Sequence, residues 1–186
     1  MKHPHAGKGF TLIELLVALA ILSIILSTAV PFTREFVRSQ MKESSRQSVL
    51  AAFRFARATA IKSGQVTTVC SLDPTGQCAS SWGDTLSVFQ DTNGNAALDN
   101  GEAIERTVEV HLEQWNQRNR PGSRAYFEWN SLGLSNGTPG SIEFCHLNSE
   151  TSRFAVVVSF SGRIRTSMDF DKDGTEERIP GTAIAC

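Results

Sequence analysis

Two arginines stand two positions apart near the end of the chain, Arg163 and Arg165, directly after Gly162. Residues two apart on a β-strand point to the same face, so a strand here would present both guanidinium groups together. Each guanidinium is permanently charged and carries a planar fork of donors, which suits contact with successive phosphates of a nucleic acid. Gly162 would let a backbone approach closely and could offer its own N–H group. The alternative is a solvated strand edge at which the arginines meet Asp169 or Asp171.

The overall charge does not by itself predict a nucleic-acid partner. The formal net charge is −1, so any such partner would be recognised by a local patch. Residues 34–62 form a basic segment with seven basic and two acidic residues. Four of the basic residues recur at intervals of four and predict a stripe along a helix: Arg34, Arg38, Lys42 and Arg46. Positive surface near lipid headgroups or opposite acidic neighbours is the simpler interpretation, and contact with nucleic acid is the other.

Two acidic segments partly match the pattern of calcium-binding loops. Residues 169–180 place aspartates at positions one, three and five and glycine at six, but end in Pro180 where such loops use Glu. Residues 91–102 end in Glu102 but have Ala96 where the sharp turn requires glycine. Each segment therefore matches only half of the calcium-loop motif. Ordinary hydrophilic turns would account equally well for the acidic residues of both segments. Calcium therefore stays open at both segments, and no metal site is predicted.

The four cysteines, Cys70, Cys78, Cys145 and Cys186, predict two disulfides if the domain lies outside the cytoplasm, with three possible pairings. A bridge between Cys70 and Cys78 would close a small, turn-rich loop. A bridge between Cys145 and Cys186 would tie down the end of the chain. No two cysteines have the CxxC spacing of zinc sites, which argues against zinc.

Catalytic groups are sparse in this sequence. It contains no nucleophile elbow, phosphate loop or zinc-protease motif. Cys145 and His146 are adjacent, but on a strand their side chains would point to opposite faces and could not form a thiol–imidazole pair. We therefore predict that the protein is not an enzyme and needs no cofactor.

The elements that must position these groups begin with an apolar N-terminal segment. A basic leader, residues 1–9, ends in Gly9 and is followed by a hydrophobic segment at residues 10–31. Glu14 is the only charged residue from Phe10 to Pro31. A helix of roughly 20 apolar residues is long enough to cross a bilayer core of about 30 Å, so this segment predicts a membrane helix. An ionised carboxylate in such a helix is costly unless it is paired, so Glu14 indicates a partner charge.

Helical periodicity continues over residues 32–63 as an amphipathic second half, and Gly64 ends it. Residues 64–186 consist of short β-branched and aromatic runs separated by turn residues, which indicates strands. The predicted strands are Val66–Ser71, Thr85–Gln90, Ile104–Val110, Ala125–Trp129, Ile142–His146, Phe154–Phe160 and Arg163–Met168. The step at Ser161 and Gly162 predicts a hairpin between the last two. A long helix packed on antiparallel sheet is an α+β fold.

The N-terminal residues resemble the class III leader of type IV pilins and type II secretion pseudopilins. The residues that carry the resemblance are Lys8, Gly9, Phe10 and Glu14 together with the apolar run up to Pro31. The resemblance implies cleavage after Gly9 by a prepilin peptidase, methylation of the new terminus at Phe10, and pairing of Glu14 with the terminal amine of a neighbouring subunit. It also implies a pilin fold, an inner-membrane precursor with a periplasmic C-terminal domain, and other pilins or pseudopilins as filament partners. Cleavage would leave 177 residues with a formal net charge of −3.

The remainder of the chain resembles the FimT/GspH group of minor pilins and pseudopilins. The matching residues include Cys70, Cys78, Trp82-Gly83, Val88-Phe89-Gln90-Asp91, Asn93-Gly94 and Gly101-Glu102. The closing part resembles FimT in particular, with Phe154–Val158, Gly162-Arg163-x-Arg165 and a terminal Cys186. This resemblance implies that Gly162, Arg163 and Arg165 bind double-stranded DNA without sequence preference during natural transformation. The arginines are followed by an acidic stretch, residues 169–177, which should weaken the electrostatic attraction of the site for DNA. A structural, GspH-like pseudopilin of type II secretion that does not bind DNA is the alternative.

Overall fold

The computed structural model describes residues 10–186 apart from residues 113, 121, 123, 148, 150 and 151, and apart from the side chains of residues 28–32, 34 and 35. The predicted leader, with the cleavage site at Gly9, lies outside the described residues. The chain divides into two compact units, Met1–Gln40 and Met41–Cys186.

In the described part of the chain, one helix is followed by ten strands. Helix α1 covers Leu12–Ser63. The strands are β1 Thr67–Cys70, β2 Thr85–Gln90, β3 Ile104–Glu109, β4 Trp115–Arg120, β5 Phe127–Trp129, β6 Gly140–His146, β7 Arg153–Val158, β8 Ile164–Thr166, β9 Glu177–Ile179 and β10 Thr182–Ala183.

The first turn of α1 is a capping box made by Thr11 and Glu14. The Thr11 hydroxyl accepts from the Glu14 N–H at 3.3 Å, while the Glu14 carboxylate accepts from the Thr11 N–H at 3.0 Å and from its hydroxyl at 2.9 Å. This reciprocal pairing satisfies donors that the first turn of a helix otherwise leaves without partners. The large apolar side chains from Leu12 to Leu26 are exposed on this unit. Among the described residues, no helix is long and apolar enough to cross a membrane.

The strands form two antiparallel sheets of four strands, in the orders β3-β2-β1-β5 and β4-β6-β7-β8, and β9 pairs with β10 as a separate hairpin. The C-terminal half of α1 buries Val49, Phe53, Ala56 and Ala60 in the core that it shares with strands of both sheets. These residues recur at intervals of three and four and form one apolar stripe along the helix.

Aromatic rings join the helix to both sheets. The Phe53 ring lies 5.7, 5.0 and 5.5 Å from the rings of Trp82, Phe127 and Trp129. In the second sheet, the Phe144 ring stacks on the Phe154 ring at 4.5 Å. Tilted and edge-on arrangements at these distances are favourable beyond the burial of apolar area. The core therefore packs the C-terminal half of α1 against strands of both sheets.

The end of the chain covers the other face of the second sheet. Alternation along β6 places Phe144 in the core and Glu143 on the opposite face, yet Glu143 is buried. Its carboxylate pairs with Arg120 at 2.7 Å and with Arg178 of β9 at 3.6 Å. Arg153 on β7 donates to the carbonyl of Ile184. The C-terminal segment thus covers the face of the second sheet that points away from the core.

The predicted α+β fold is confirmed, and the seven predicted strands occur within a few residues of their expected bounds. Three strands were not predicted: β4, β9 and β10. The sequence of β4, Trp-Asn-Gln-Arg-Asn-Arg, lacks β-branched residues, and an edge strand can carry such side chains because one side of it has no neighbour. Its inward Gln117 is satisfied by accepting from the backbone N–H of Trp82 at 2.9 Å.

Both predicted disulfides are present, and no cysteine is free. Cys70 bonds to Cys78 and Cys145 bonds to Cys186. The first bridge spans 8 positions and closes a surface loop beside β1. The second spans 41 positions and ties the C-terminus to β6.

Removing the long-range bridge should destabilise the protein more than removing the short one. By loop-closure entropy, replacing Cys145 and Cys186 together by Ser should lower the free energy of unfolding by about 4 kcal/mol. The same change at Cys70 and Cys78 should lower it by about 2.5 kcal/mol. Urea denaturation of the two double variants measures the difference. Equal losses, or a larger loss from the short bridge, would contradict the anchoring role of Cys186.

Candidate nucleic-acid interface

Two similar turns lie together in the second unit. In the turn between β7 and β8, the N–H of Gly162 donates to the carbonyl of Ser159 at 2.9 Å, and the chain then pairs again at Arg163. In the turn after β5, the N–H of Gly133 donates to the carbonyl of Asn130 at 2.8 Å. Both glycines have a φ of +71°, the left-handed value that closes a three-residue hairpin loop at little cost only for glycine.

The two turns meet at these glycines. A Cβ on Gly162 would lie 1.8 Å from the carbonyl oxygen of Gly133, which no side chain can tolerate. The indole N–H of Trp129, which is buried in the core, donates to the carbonyl of Gly162 at 3.1 Å and so holds the turn in place. Gly162 is buried and its N–H is used inside its own turn. The structure therefore gives Gly162 a role in building the turn, in place of the exposed phosphate contact that the sequence indicated.

Arg57 of α1 donates hydrogen bonds to both turns. Its Nε donates to the carbonyl of Gly133 at 2.9 Å, and its Nη2 reaches the carbonyl of Ser161 at 3.5 Å. One guanidinium thus links the helix to each turn, with donors spread along a planar fork. The sequence placed Arg57 in the basic segment 34–62 but gave no sign of this role, because it depends on two loops that only the tertiary fold brings to the helix.

A surface groove of about 320 Å³ runs between the helix and the start of β8. We call it the arginine groove; its lining residues are Arg54, Arg57, Ala58, Ile61, Arg163 and Ile164. Three of the six carry a positive charge and none is acidic. Arg54 and Arg163 are exposed, and within the described part of the chain neither side chain has a hydrogen-bond or ion-pair partner. The groove therefore offers guanidinium donors to an anion from solvent.

Arg165 has different neighbours from Arg163. It pairs in register with Val157 on β7, and its Nη1 donates to the carbonyl of Arg178 at 2.7 Å. The side chain is half-buried. Of the two arginines singled out in the sequence, the structure places Arg163 in the groove and uses Arg165 in part to hold the C-terminal segment.

The acidic stretch that follows does not neutralise the two arginines. The carboxylates of Asp169, Asp171 and Asp173 lie within 4.8 Å of one another. Their oxygens accept backbone N–H groups of the same loop. Across the described residues, no ion pair joins any of the three to Arg163 or Arg165, so the alternative in which the arginines meet Asp169 or Asp171 is not observed.

Part of the predicted basic stripe is neutralised inside the chain. The Glu176 carboxylate pairs with the Lys42 ammonium at 2.6 Å and with the Arg46 guanidinium. These two residues therefore have an internal function, which is to join the helix to the end of the chain. Further along α1, Arg54 and Lys62 are exposed basic residues of the same unit.

One buried carboxyl near the second turn titrates close to neutrality. Burial and the neighbouring Asp91 charge raise the pKa of Glu128 to about 7, opposed by a hydrogen bond from Asn136 and by the charge of Arg124. Glu128 lies on β5, just before the turn that contains Gly133, and it does not line the arginine groove. No sequence pattern indicated this group.

The contact between the turns predicts a specific cost for enlarging Gly162. Gly162→Ala should lower the free energy of unfolding by about 3–5 kcal/mol, because the new Cβ must displace a backbone carbonyl. Gly137→Ala is the matched control, since Gly137 also has a positive φ of +75° but nothing within 4 Å of a Cβ. The control should lose only about 1 kcal/mol from backbone strain. Urea denaturation compares the two variants, and similar losses would contradict the close contact with Gly133.

Comparison with known proteins agrees with the fold and the N-terminal pattern. The family described as type II transport protein GspH matches residues 45–162, more than half of the chain. The prokaryotic N-terminal methylation motif matches residues 5–30. No curated protein matches the chain.

Solved structures with this fold include minor pilins. The type IV minor pilin FimU of Pseudomonas aeruginosa, in one crystal form, is 16% identical with a TM-score of 0.52, covering 73% of this chain and 91% of FimU. A second crystal form of FimU gives 15% identity and a TM-score of 0.53, covering 68% of this chain and 92% of FimU. The minor pseudopilin EpsH from the type 2 secretion system of Vibrio cholerae is 18% identical with a TM-score of 0.44, covering 67% of this chain and 95% of EpsH. The chain belongs to the GspH family and is a minor pilin or pseudopilin.

Proposed function

We propose that this protein is made as an inner-membrane precursor, that a prepilin peptidase removes residues 1–9 by cutting after Gly9, and that Phe10 becomes the methylated terminus. The methylation motif at residues 5–30 supports this order of events. The periplasmic domain would then enter a filament with other pilins. Glu14 caps α1 in the single chain, and in a filament its charge is suited to the terminal amine of a neighbouring subunit.

We further propose that the arginine groove binds double-stranded DNA for uptake in natural transformation, as in FimT-like members of the family. The observation that carries this proposal is the convergence of Arg54, Arg57 and Arg163 on one groove without an acidic lining residue. Guanidinium groups suit phosphate oxygens, because their fork of donors can contact them in pairs. Contacts of this kind position a duplex without reading its bases, so binding is tolerant of sequence.

Few phosphate contacts give weak binding by a single subunit. Three arginines correspond to micromolar or weaker affinity, of the order seen for non-specific binding at physiological salt. Several subunits along a filament, or one subunit held close to other DNA-binding components, would raise the effective affinity by avidity. A net charge of −3 on the mature chain limits contact with DNA to this local surface.

A charge-matched comparison tests the groove. Replacing Arg54 and Arg163 together by Gln should reduce binding of a labelled 30-base-pair duplex at least tenfold, because two phosphate contacts are lost. Fluorescence anisotropy of the full-length chain in mild detergent at low salt measures this. Arg118→Gln together with Lys172→Gln removes the same charge at two exposed side chains that do not line the groove, and should leave duplex binding within about twofold.

The melting temperature should stay nearly unchanged in the groove variant, because neither side chain has a partner in the described chain. Arg165→Gln is measured separately, since this residue also holds the carbonyl of Arg178. In a naturally competent host the groove variant should take up less DNA yet still make pili. If wild type does not bind duplex at low salt, or the groove variant binds as well as wild type, the proposed DNA function is wrong.

A second function has one observation in its favour: the matching family is described as a type II transport protein. In that case the chain is a structural minor pseudopilin that helps to build a secretion filament and does not bind DNA. Deletion of the gene would then abolish protein secretion and leave transformation unchanged.

A further inference from the structure

A large aromatic side chain stands at the tip of the turn beside the arginine groove. Phe160 is 79% exposed, although hydrogen bonds hold the backbone of this turn. Its carbonyl accepts from the backbone N–H of Ser135 at 3.2 Å and from the hydroxyl of the same residue at 3.4 Å. A side chain of this size exposed on a backbone that is held in place is a preformed contact surface.

The same turn connects Phe160 to the groove. Ser161, the next residue, offers its carbonyl to Arg57, and Arg163 follows two positions later. Gly162 between them is held by the hydrogen bond from the Trp129 indole to its carbonyl. The aromatic ring and the guanidinium groups are therefore presented by one short, rigid segment together with the helix.

We propose that unpaired nucleotides bind here, with a base stacked on Phe160 and the adjoining phosphates in the arginine groove, so that this surface prefers single-stranded DNA to duplex. This inference rests on the proposed DNA function, in which duplex binds through phosphate contacts alone, and adds a second ligand, unpaired strands, which bind more tightly through the additional stack. A basic groove with an exposed aromatic is the combination that binds single strands, because every base has a face that can stack. In a duplex those faces are already stacked on their neighbours, so the ring finds no partner except at frayed ends.

The charge around the ring favours a nucleic acid as the occupant over an apolar protein surface. Three guanidinium groups line the adjoining groove, and those of Arg54 and Arg163, which have no partner in the described part of the chain, need an anion or water when a partner covers them. A strand with one phosphate per nucleotide supplies that charge next to each base. A protein neighbour in a filament would have to bring acidic groups, and that occupant is distinguished by the test.

The experiment compares two probes on the full-length chain in mild detergent: a labelled single strand of twelve thymidines and a labelled twelve-base-pair duplex. Phe160→Ala should weaken binding of the single strand about 5- to 150-fold, the range for the loss of one base–aromatic stack, and change duplex binding less than about twofold. Leu132→Ala is the matched control, because Leu132 is 75% exposed on the neighbouring turn but has no ring. It should leave both probes unaffected.

A spectroscopic readout separates stacking from other contacts. Phe160→Trp keeps a stacking surface and should retain binding of the single strand. The natural tryptophans Trp82, Trp115 and Trp129 are buried, so the added indole dominates the exposed emission. The single strand should quench that emission, and the duplex should quench it much less.

The possible results of this experiment distinguish a failure of the inference from a failure of the proposed DNA function. If neither probe binds at low salt, both the DNA function and this inference fail. If the duplex binds as tightly as the single strand and Phe160→Ala changes neither, the DNA function stands and the inference is overturned. If Phe160→Ala binds both probes normally but no longer enters filaments, the ring contacts a neighbouring pilin and the inference is likewise overturned.

Discussion

The contact between Gly162 and Gly133 is the constraint on which the candidate interface depends. Two hairpin turns from different sheets can approach this closely only because Gly162 lacks a Cβ, and both glycines adopt a left-handed backbone. The missing Cβ of Gly133 serves another contact, since it would lie 2.7 Å from the Ile61 side chain of α1. Arg57 then joins the pair to the helix through two carbonyls, and Trp129 holds Gly162 from the core side. The arginines beside this junction are positioned by backbone contacts, which explains how exposed side chains of a small domain can form a defined groove.

The charges of the helix are divided between two tasks. Near the beginning of the second unit, Lys42 and Arg46 bind Glu176 and so hold the C-terminal segment, which the Cys145–Cys186 bridge also anchors. Further along, Arg54 remains exposed beside the groove. Within the second unit, the helix thus uses two basic residues for folding and leaves others exposed for an anionic partner, although the net charge of the protein is negative.

Much of the fold could be predicted because it follows from local patterns: the apolar run, the helical stripe around Phe53, the alternating strands and the even number of cysteines. The strand β4 could not be predicted, because its polar residues are satisfied by partners such as Trp82 that are distant in sequence. The sequence predicted only part of the candidate interface. Arg163 was indicated by its spacing, but Arg57 acquires its role from loops more than 70 positions away, and Gly162 acquires its role from a contact that no local motif encodes.

The salt dependence of duplex binding, compared between wild type and Arg163→Gln, tests most directly whether the arginine groove contacts phosphates. Each phosphate contact releases counterions and contributes about 0.9 to the slope of log affinity against log salt concentration, so wild type should give a slope of about −2 to −4. Arg163→Gln should make that slope shallower by about 1. An unchanged slope in the variant, or binding of wild type that does not respond to salt, would contradict the account.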